Sequence, residues 1–281
     1  MNEAALPPLR DVIARLKLSA RRGLGQNFLL DLNLTRRIAR AAAPLAGKTI
    51  VEVGPGPGGL TRALLEEGAS RVIAIERDER FLPALEEIGA AYAGRIEIIA
   101  SDAITIDETR LSLGGPAEVV ANLPYNVGTA LLIKWLRSPI WPPWYTRLTL
   151  LFQREVALRL VAEQGSAAYG RLSVLAHWRT RPRILFDIDP RAFTPRPKVT
   201  SSLVQIDVLS KPRFAADIHA LERVTAAGFG QRRKMLRQSL KSLGVPVEPL
   251  LEEAGIDGTL RAENISLEGF CALARALIAL A

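Results

Sequence analysis

A short apolar strand that runs into a glycine-rich turn and then a helix leaves a chain few folds to adopt. This sequence contains one at Val51-Glu52-Val53-Gly54-Pro55-Gly56-Pro57-Gly58-Gly59-Leu60-Thr61. Glycines at such a turn let backbone and ligand approach each other closely. The pattern continues on either side. Apolar, β-branched runs at Thr49–Val53, Arg71–Glu76, Arg95–Ala100, Glu118–Ala121 and Leu148–Gln153 read as buried strands. Helical periodicity fills Leu60–Gly68, Glu79–Tyr92, Val127–Leu136 and Arg154–Gln164 between them. Strands alternating with helices predict parallel βαβ units in an open, doubly wound, Rossmann-like α/β sheet. Ligands of such sheets bind beyond the C-terminal ends of the strands, so the chemistry is sought there.

The flanks differ in character. Residues 1–48 read as helical and basic, with nine Lys/Arg against three acids, and the glycines of Arg21–Leu29 make that stretch a loop. Ile184–Ile188 and Ser201–Leu209 read as two late strands around the proline-rich Asp189–Lys198, expected to form an antiparallel hairpin at the sheet edge. After Lys211-Pro212 no strand signal remains. Helices are expected at Ala215–Phe229, Arg232–Leu243, Pro249–Ala254 and Leu267–Leu280. The expected division is 1–210, a catalytic domain with an N-terminal extension, and 211–281, a small all-helical domain.

Composition narrows the function. The chain has 281 residues and is 48% hydrophobic, enough for a real core. Its 37 Lys/Arg exceed its 29 Asp/Glu by +8, which argues for a polyanionic partner. One cysteine, Cys271, and two histidines, His177 and His219, rule out an internal disulfide and leave no expected metal site. Met1–Arg10 has no apolar signal core, and no run of about 18 apolar residues suggests a membrane span. A cytoplasmic location with no membrane partner is expected.

Gly54, Gly56 and Gly59 satisfy the G-x-G-x-x-G pattern of dinucleotide sites, but Pro55 and Pro57 lack the N–H groups that would cradle a pyrophosphate. S-adenosylmethionine, which has no phosphate, fits such a turn better. The second strand ends in Glu76, placed to accept from ribose hydroxyls, and the third in Asp102, placed to accept from an adenine amine. The fourth ends in Asn122-Leu123-Pro124-Tyr125. An exocyclic aromatic amine is a poor nucleophile, because its lone pair is delocalised into the ring. The Asn122 side-chain carbonyl and an adjacent backbone carbonyl could hold its N–H groups and favour a pyramidal nitrogen. Pro124 restrains Leu123 to extended backbone, and Tyr125 offers a face on which an extruded base can stack. Catalysis would then rest on placement and on hydrogen bonds that strengthen in the transition state.

With these motifs the chain resembles the ribosomal RNA adenine N6,N6-dimethyltransferases of the KsgA/RsmA family. The resemblance rests on Gly25–Leu29, Glu52–Gly56, Asn122–Tyr125, Phe193–Val199 and Arg232–Leu236 in that order, and spans nearly the whole chain. It implies that Asn27 and Leu29 contact the cofactor from the N-terminal loop and that Gly54 and Gly56 line its methionine end. Glu76 would hold the ribose and Asp102 the adenine. Asn122 and the Leu123 carbonyl would bind cofactor and target amine together, and Tyr125 and Phe193 would sandwich the target base. The resemblance further implies four methyl transfers to two adjacent adenines near the 3′ end of 16S rRNA, late in small-subunit assembly, by a monomer.

Two basic clusters read as RNA phosphate contacts. One joins Arg171, Arg179, Arg181, Arg183, Arg191, Arg196 and Lys198, and the other spans Arg232, Arg233, Lys234, Arg237 and Lys241. Competing readings are a resistance-type methyltransferase acting on a large-subunit adenine, a DNA adenine methyltransferase, and a non-catalytic assembly factor on the same fold. Leu123 disfavours the first, Asn122 in place of aspartate the second, and the intact glycine turn the third.

Overall fold

The computed structural model describes residues 6–21, 23 and 25–280. The chain divides into two compact units, Met1–Ala157 with Ile184–Asp207, and Leu158–Arg183 with Val208–Ala281. In chain order the first unit opens with α1 (Leu9–Arg15), β1 (Phe28–Leu29) and α2 (Leu32–Ala41). There follow β2 (Thr49–Val53), α3 (Gly59–Glu66), β3 (Arg71–Glu76), α4 (Leu82–Ala91), β4 (Ile96–Ala100), β5 (Ala117–Ala121), α5 (Gly128–Leu136) and β6 (Tyr145–Gln153). After α6 (Arg154–Val161) and α7 (Arg171–Arg179) come β7 (Thr180–Ile188), β8 (Phe193–Thr194) and β9 (Ser201–Val208).

Seven strands form one sheet in the order β4-β3-β2-β5-β6-β9-β7. The first five are parallel neighbours, and β9 runs antiparallel to β6. The central strands are buried on both faces. Ile50, Val51, Val72, Ile73, Val119 and Val120 are all fully enclosed, which is why they read as continuous apolar runs rather than alternating ones. Burying each such side chain stabilises the sheet by about 1.5–3 kcal/mol. Chain order reverses between β2 and β5: from β2 the chain passes to β3 on one side and returns to β5 on the other. This is the switch point at which open α/β sheets bind ligands.

The second unit adds α8 (Ile218–Gly230), α9 (Leu236–Ser239), α10 (Val247–Ala254) and α11 (Leu267–Ala279). Its core is aromatic. Phe229 lies 5.7 Å from Tyr169 and 5.2 Å from Phe270, centre to centre, and Trp178, Leu221 and Leu273 are buried. Cys271 is fully buried among them, and burial pushes its thiol up to about 12. No described helix is long and apolar enough to cross a membrane.

Three features depart from the sequence reading. The single helix expected over Arg232–Leu243 is broken. Met235 adopts extended backbone and bridges Arg261, while the Leu236 and Arg237 N–H groups bond to the carbonyls of Leu260 and Gly258. Tertiary pairing overrides helix propensity there. Helix α7 was not expected, because Ser173–Ala176, Trp178 and Arg179 are all buried and leave no polar face to give the segment a period. The two-residue ladder of β1 with β8, Leu29 opposite Phe193, is too short for periodicity to reveal.

Candidate active site

β2 and β5 pair with Val51 opposite Val119, so the segments leaving their C-terminal ends meet. Gly54 lies there at φ 68°, and a Cβ on it would sit 3.3 Å from Cδ of Pro124. Glycine accepts both the positive φ and the contact. The turn delivers the Gly56 N–H to Oε2 of Glu76 at 3.0 Å, and the Asp78 N–H reaches Oε1 at 2.7 Å. Glu76 is only 5% exposed, and burial raises its carboxyl while these N–H bonds pull it down. A carboxylate oxygen holding one donor keeps a further acceptor position, so Glu76 remains able to take two hydroxyls.

The N-terminal loop crosses this turn. α3 begins at Gly59, where a Cβ would lie 2.8 Å from the Leu29 carbonyl oxygen, so a side chain would push the loop off. Gln26 accepts from the Arg21 N–H at 2.8 Å and donates to Oδ2 of Asp78 at 3.2 Å, which fastens the loop over the end of β3. Arg22 and Leu24, part of the expected loop, lie outside the described residues.

Asn122 supplies the central geometry. Its Nδ2 donates to the Asn27 carbonyl at 2.9 Å. A carbonyl can only accept, so this bond fixes the amide with Nδ2 on Asn27 and Oδ1 as the free acceptor. Among the described residues no donor bonds to Oδ1 or to the neighbouring Leu123 carbonyl. Leu123 itself is buried, and its side chain packs near Gly128 at the start of α5. The hydroxyl of half-buried Tyr125 bonds to Ser201, a fully buried residue at the start of β9, and burial raises the phenol. Ser201 thus anchors the ring that the sequence proposes as a stacking face.

Two adjoining cavities open along the strand ends. Asn27, Leu29, Glu52, Gly54, Gly56 and Asn122 line the narrower one. The larger, about 380 Å³, has Glu76, Arg77 and Asp102 at its polar side and Ile104, Val127 and Leu131 as apolar walls. That volume falls in the range of small-molecule sites. Glu76 and Gly54 border both cavities. Asp102 accepts from the Ile104 N–H at 2.9 Å and pairs with Arg77 at 3.0 Å. An elongated ligand with a polar tail, a diol and an apolar ring fits this sequence of surfaces. S-adenosylmethionine is such a molecule.

Glu52, which borders the narrow cavity, has no role assigned from sequence. It is 1% exposed and accepts from the Thr61 hydroxyl at 2.7 Å. Burial pushes its carboxyl up to about 8, opposed by the Thr61 bond and assisted by nearby Glu76. Its place inside the strand–turn motif was the available signal. Ser201 had none, since its partner is 76 residues away.

The remaining candidates divide. Phe193 is 3% exposed and packs in the core cluster with Leu29, Ile188 and Leu203, so its ring presents no open face. Lys198, Arg233, Lys234 and Arg237 are exposed. Arg232 is instead engaged: its Nε pairs with Glu263 at 2.9 Å and its Nη2 donates to the Ser166 carbonyl. It fixes the turn that carries Arg233 and Lys234. Arg179 is 7% exposed and lies over the Trp178 ring, which removes it from the surface cluster.

Known proteins resemble this chain over almost its whole length. The description of one family, ribosomal RNA adenine dimethylase, matches residues 17–279. A protein of Bradyrhizobium diazoefficiens named ribosomal RNA small subunit methyltransferase A is 61% identical over 272 residues, covering 97% of this chain and 95% of its own. One of the same name from Chelativorans sp. is 62% identical over 276 residues, covering 98% and 99%. Among solved structures, a dimethyladenosine transferase from Plasmodium falciparum shares the fold with a TM-score of 0.71 at 23% identity, over 86% of this chain and 94% of that one. The 23S rRNA methyltransferase ErmE gives 0.66 at 25% identity, over 90% and 100%. Matched over almost its whole length, the chain belongs to the ribosomal RNA adenine dimethylase family.

Proposed function

We propose that this protein transfers methyl groups from S-adenosylmethionine to the N6 amines of two adjacent adenines in 16S rRNA, late in the assembly of the small ribosomal subunit. The observation that carries the proposal is the Asn122 amide, held by Asn27 so that Oδ1 is left as an acceptor to which no donor among the described residues bonds. An acceptor of fixed orientation, followed in the chain by the Leu123 carbonyl, suits the N–H groups of an exocyclic amine. The relatives at 61–62% identity carry the small-subunit name, whereas the large-subunit enzyme ErmE stands at 25%.

When bound, S-adenosylmethionine supplies an electrophilic methyl group on a sulfonium. Every other element is the chain's own. Glu76 would accept the ribose hydroxyls, and Asp102 with the apolar wall of Ile104, Val127 and Leu131 would receive the adenine. Glu52, Gly54, Gly56 and the loop residues Asn27 and Leu29 would surround the methionine end. Asn122 Oδ1 and the Leu123 carbonyl would accept hydrogen bonds from the amine N–H groups, favouring a pyramidal nitrogen with an exposed lone pair. As the N–CH3 bond forms the S–CH3 bond breaks, and the proton lost from the methylated nitrogen passes to solvent. Tyr125, anchored through Ser201, holds the base by stacking. Phe193, packed in the core cluster, supports the Leu29 segment rather than the base itself. No strong base is needed, because the gain comes from fixed acceptors and alignment. Pro124 sets the backbone on which these groups stand.

Lys198 in the first unit, and Arg233, Lys234 and Arg237 in the helical unit, contact RNA phosphates and orient the substrate without reading its bases. The protein works as a monomer in the cytoplasm. Incubation with labelled S-adenosylmethionine and 16S rRNA-containing subunits tests the assignment. N6,N6-dimethyladenine in the wild-type reaction, and its loss with Asn122→Ala, is the expected result.

A further inference from the structure

We infer that Lys134 is a positioning residue that sets the width of the adenine end of the larger cavity. The inference rests on the cofactor reading above. Lys134 lies on α5, one turn beyond Leu131, which forms one apolar wall. Its ammonium donates to the carbonyls of Ala103 at 2.8 Å and Ile106 at 2.5 Å, and to the Glu108 carboxylate at 2.9 Å. All three donors of the ammonium are therefore used. Glu108 is 4% exposed and also accepts from Trp135 Nε1 at 2.8 Å. The carbonyls belong to the loop that leaves β4, where Asp102 and Ile104 face the cavity. One side chain thus ties the two opposing walls, α5 and the Asp102–Ile106 loop, at a fixed spacing.

Pairing with buried Glu108 is a stability role of Lys134, and the two carbonyl bonds come in addition to it. A surface lysine here would leave the loop held by its own turn, in which the Asp102 carbonyl accepts from the Thr105 and Ile106 N–H groups. Lys134 adds bonds from α5 to this loop beyond those of the turn. Charge-assisted bonds of this kind are roughly twice as strong as neutral ones, so the spacing is held firmly. The consequence is selectivity: a ring of adenine size with a free amine fits, and a bulkier N6 substituent does not.

The test is calorimetric binding of S-adenosylhomocysteine and of its N6-benzyl derivative to wild type, to Lys134→Met, and to the double variant Lys134→Met/Glu108→Gln. The double variant removes the carbonyl anchors without stranding a buried charge, and the amide oxygen introduced at position 108 keeps a partner for Trp135. The expected result is about tenfold weaker S-adenosylhomocysteine binding with unchanged or tighter binding of the benzyl derivative, from loss of two charge-assisted bonds. KM for S-adenosylmethionine rises by a similar factor and kcat at saturation is retained. Parallel changes for both ligands, or wild-type affinities with only a lower melting temperature, would overturn the inference and leave Lys134 a structural residue. No binding of S-adenosylhomocysteine to wild type would overturn the cofactor reading, and the inference with it.

Discussion

Replacing Asn122 with aspartate exchanges one amide NH2 for an oxygen and leaves size and shape almost unchanged. In the wild type, Nδ2 donates to the Asn27 carbonyl at 2.9 Å. In the variant a carboxylate oxygen faces that carbonyl, and two acceptors oppose each other. Removing the donor and leaving a half-buried carbonyl without a partner costs about 1–3 kcal/mol. The carboxylate relieves the clash by rotating, which takes the remaining oxygen off the position that Oδ1 held. Loss of one fixed acceptor at a reacting centre lowers kcat by about 10²–10³-fold, or roughly 2.7–4 kcal/mol. Single-turnover methyl transfer at saturating cofactor measures this directly, with thermal unfolding alongside. A domain of this size loses about 2–4 °C per kcal/mol, so the melting temperature drops by several degrees while the fold survives. An aspartate variant that kept the wild-type rate would refute the argument, because it would show that amide orientation does not prepare the amine.

Three further outcomes follow from the same geometry. Tyr125→Phe keeps the stacking face and retains most activity, whereas Tyr125→Ala weakens productive binding of the target base by about 1–3 kcal/mol, seen as a higher KM for RNA; equal effects would contradict stacking. Between pH 4.5 and about 8 the folded protein holds a proton on Glu52 that the unfolded chain has released, so stability falls as pH rises through that window. Glu52→Gln cannot titrate and flattens the curve of melting temperature against pH, and an unaltered curve would exclude Glu52 as the source. Arg233→Ala/Lys234→Ala lowers the slope of log affinity against log salt for RNA by roughly 1.5–2, because two phosphate contacts are lost, while an unchanged slope would place the RNA elsewhere.

How far the sequence carries can be judged residue by residue. β2 and β3 are legible to the residue, because a parallel strand buried on both faces is a plain apolar run ended by glycine or an acid. The site residues at strand ends are legible for a related reason: topology alone brings Gly54, Glu76, Asp102 and Asn122 to one edge of the sheet. What stays hidden depends on partners far along the chain. Nothing local marks Ser201 as the anchor of Tyr125, or Lys134 as a tie to Ala103 and Ile106. Arg232 looks like its neighbours in the basic run, and only the fold pairs it with Glu263, 31 residues away. Phe193 reads as an aromatic beside a proline-rich loop, yet its pairing with Leu29 carries it into the core. The Arg232–Leu243 helix fails because a strand-like bridge to Arg261 competes with a sequence that would otherwise be helical.

Methyl transfer to assembled particles tests most directly whether this site dimethylates adenine in small-subunit RNA. Labelled S-adenosylmethionine is offered to immature small subunits and to unmethylated large subunits from cells lacking the modification, and the RNA is digested to nucleosides. Label in N6,N6-dimethyladenosine from the small subunit alone, absent with Asn122→Ala, is the predicted result. Label in large-subunit RNA, or cofactor binding and tight subunit association without any transfer, would contradict it.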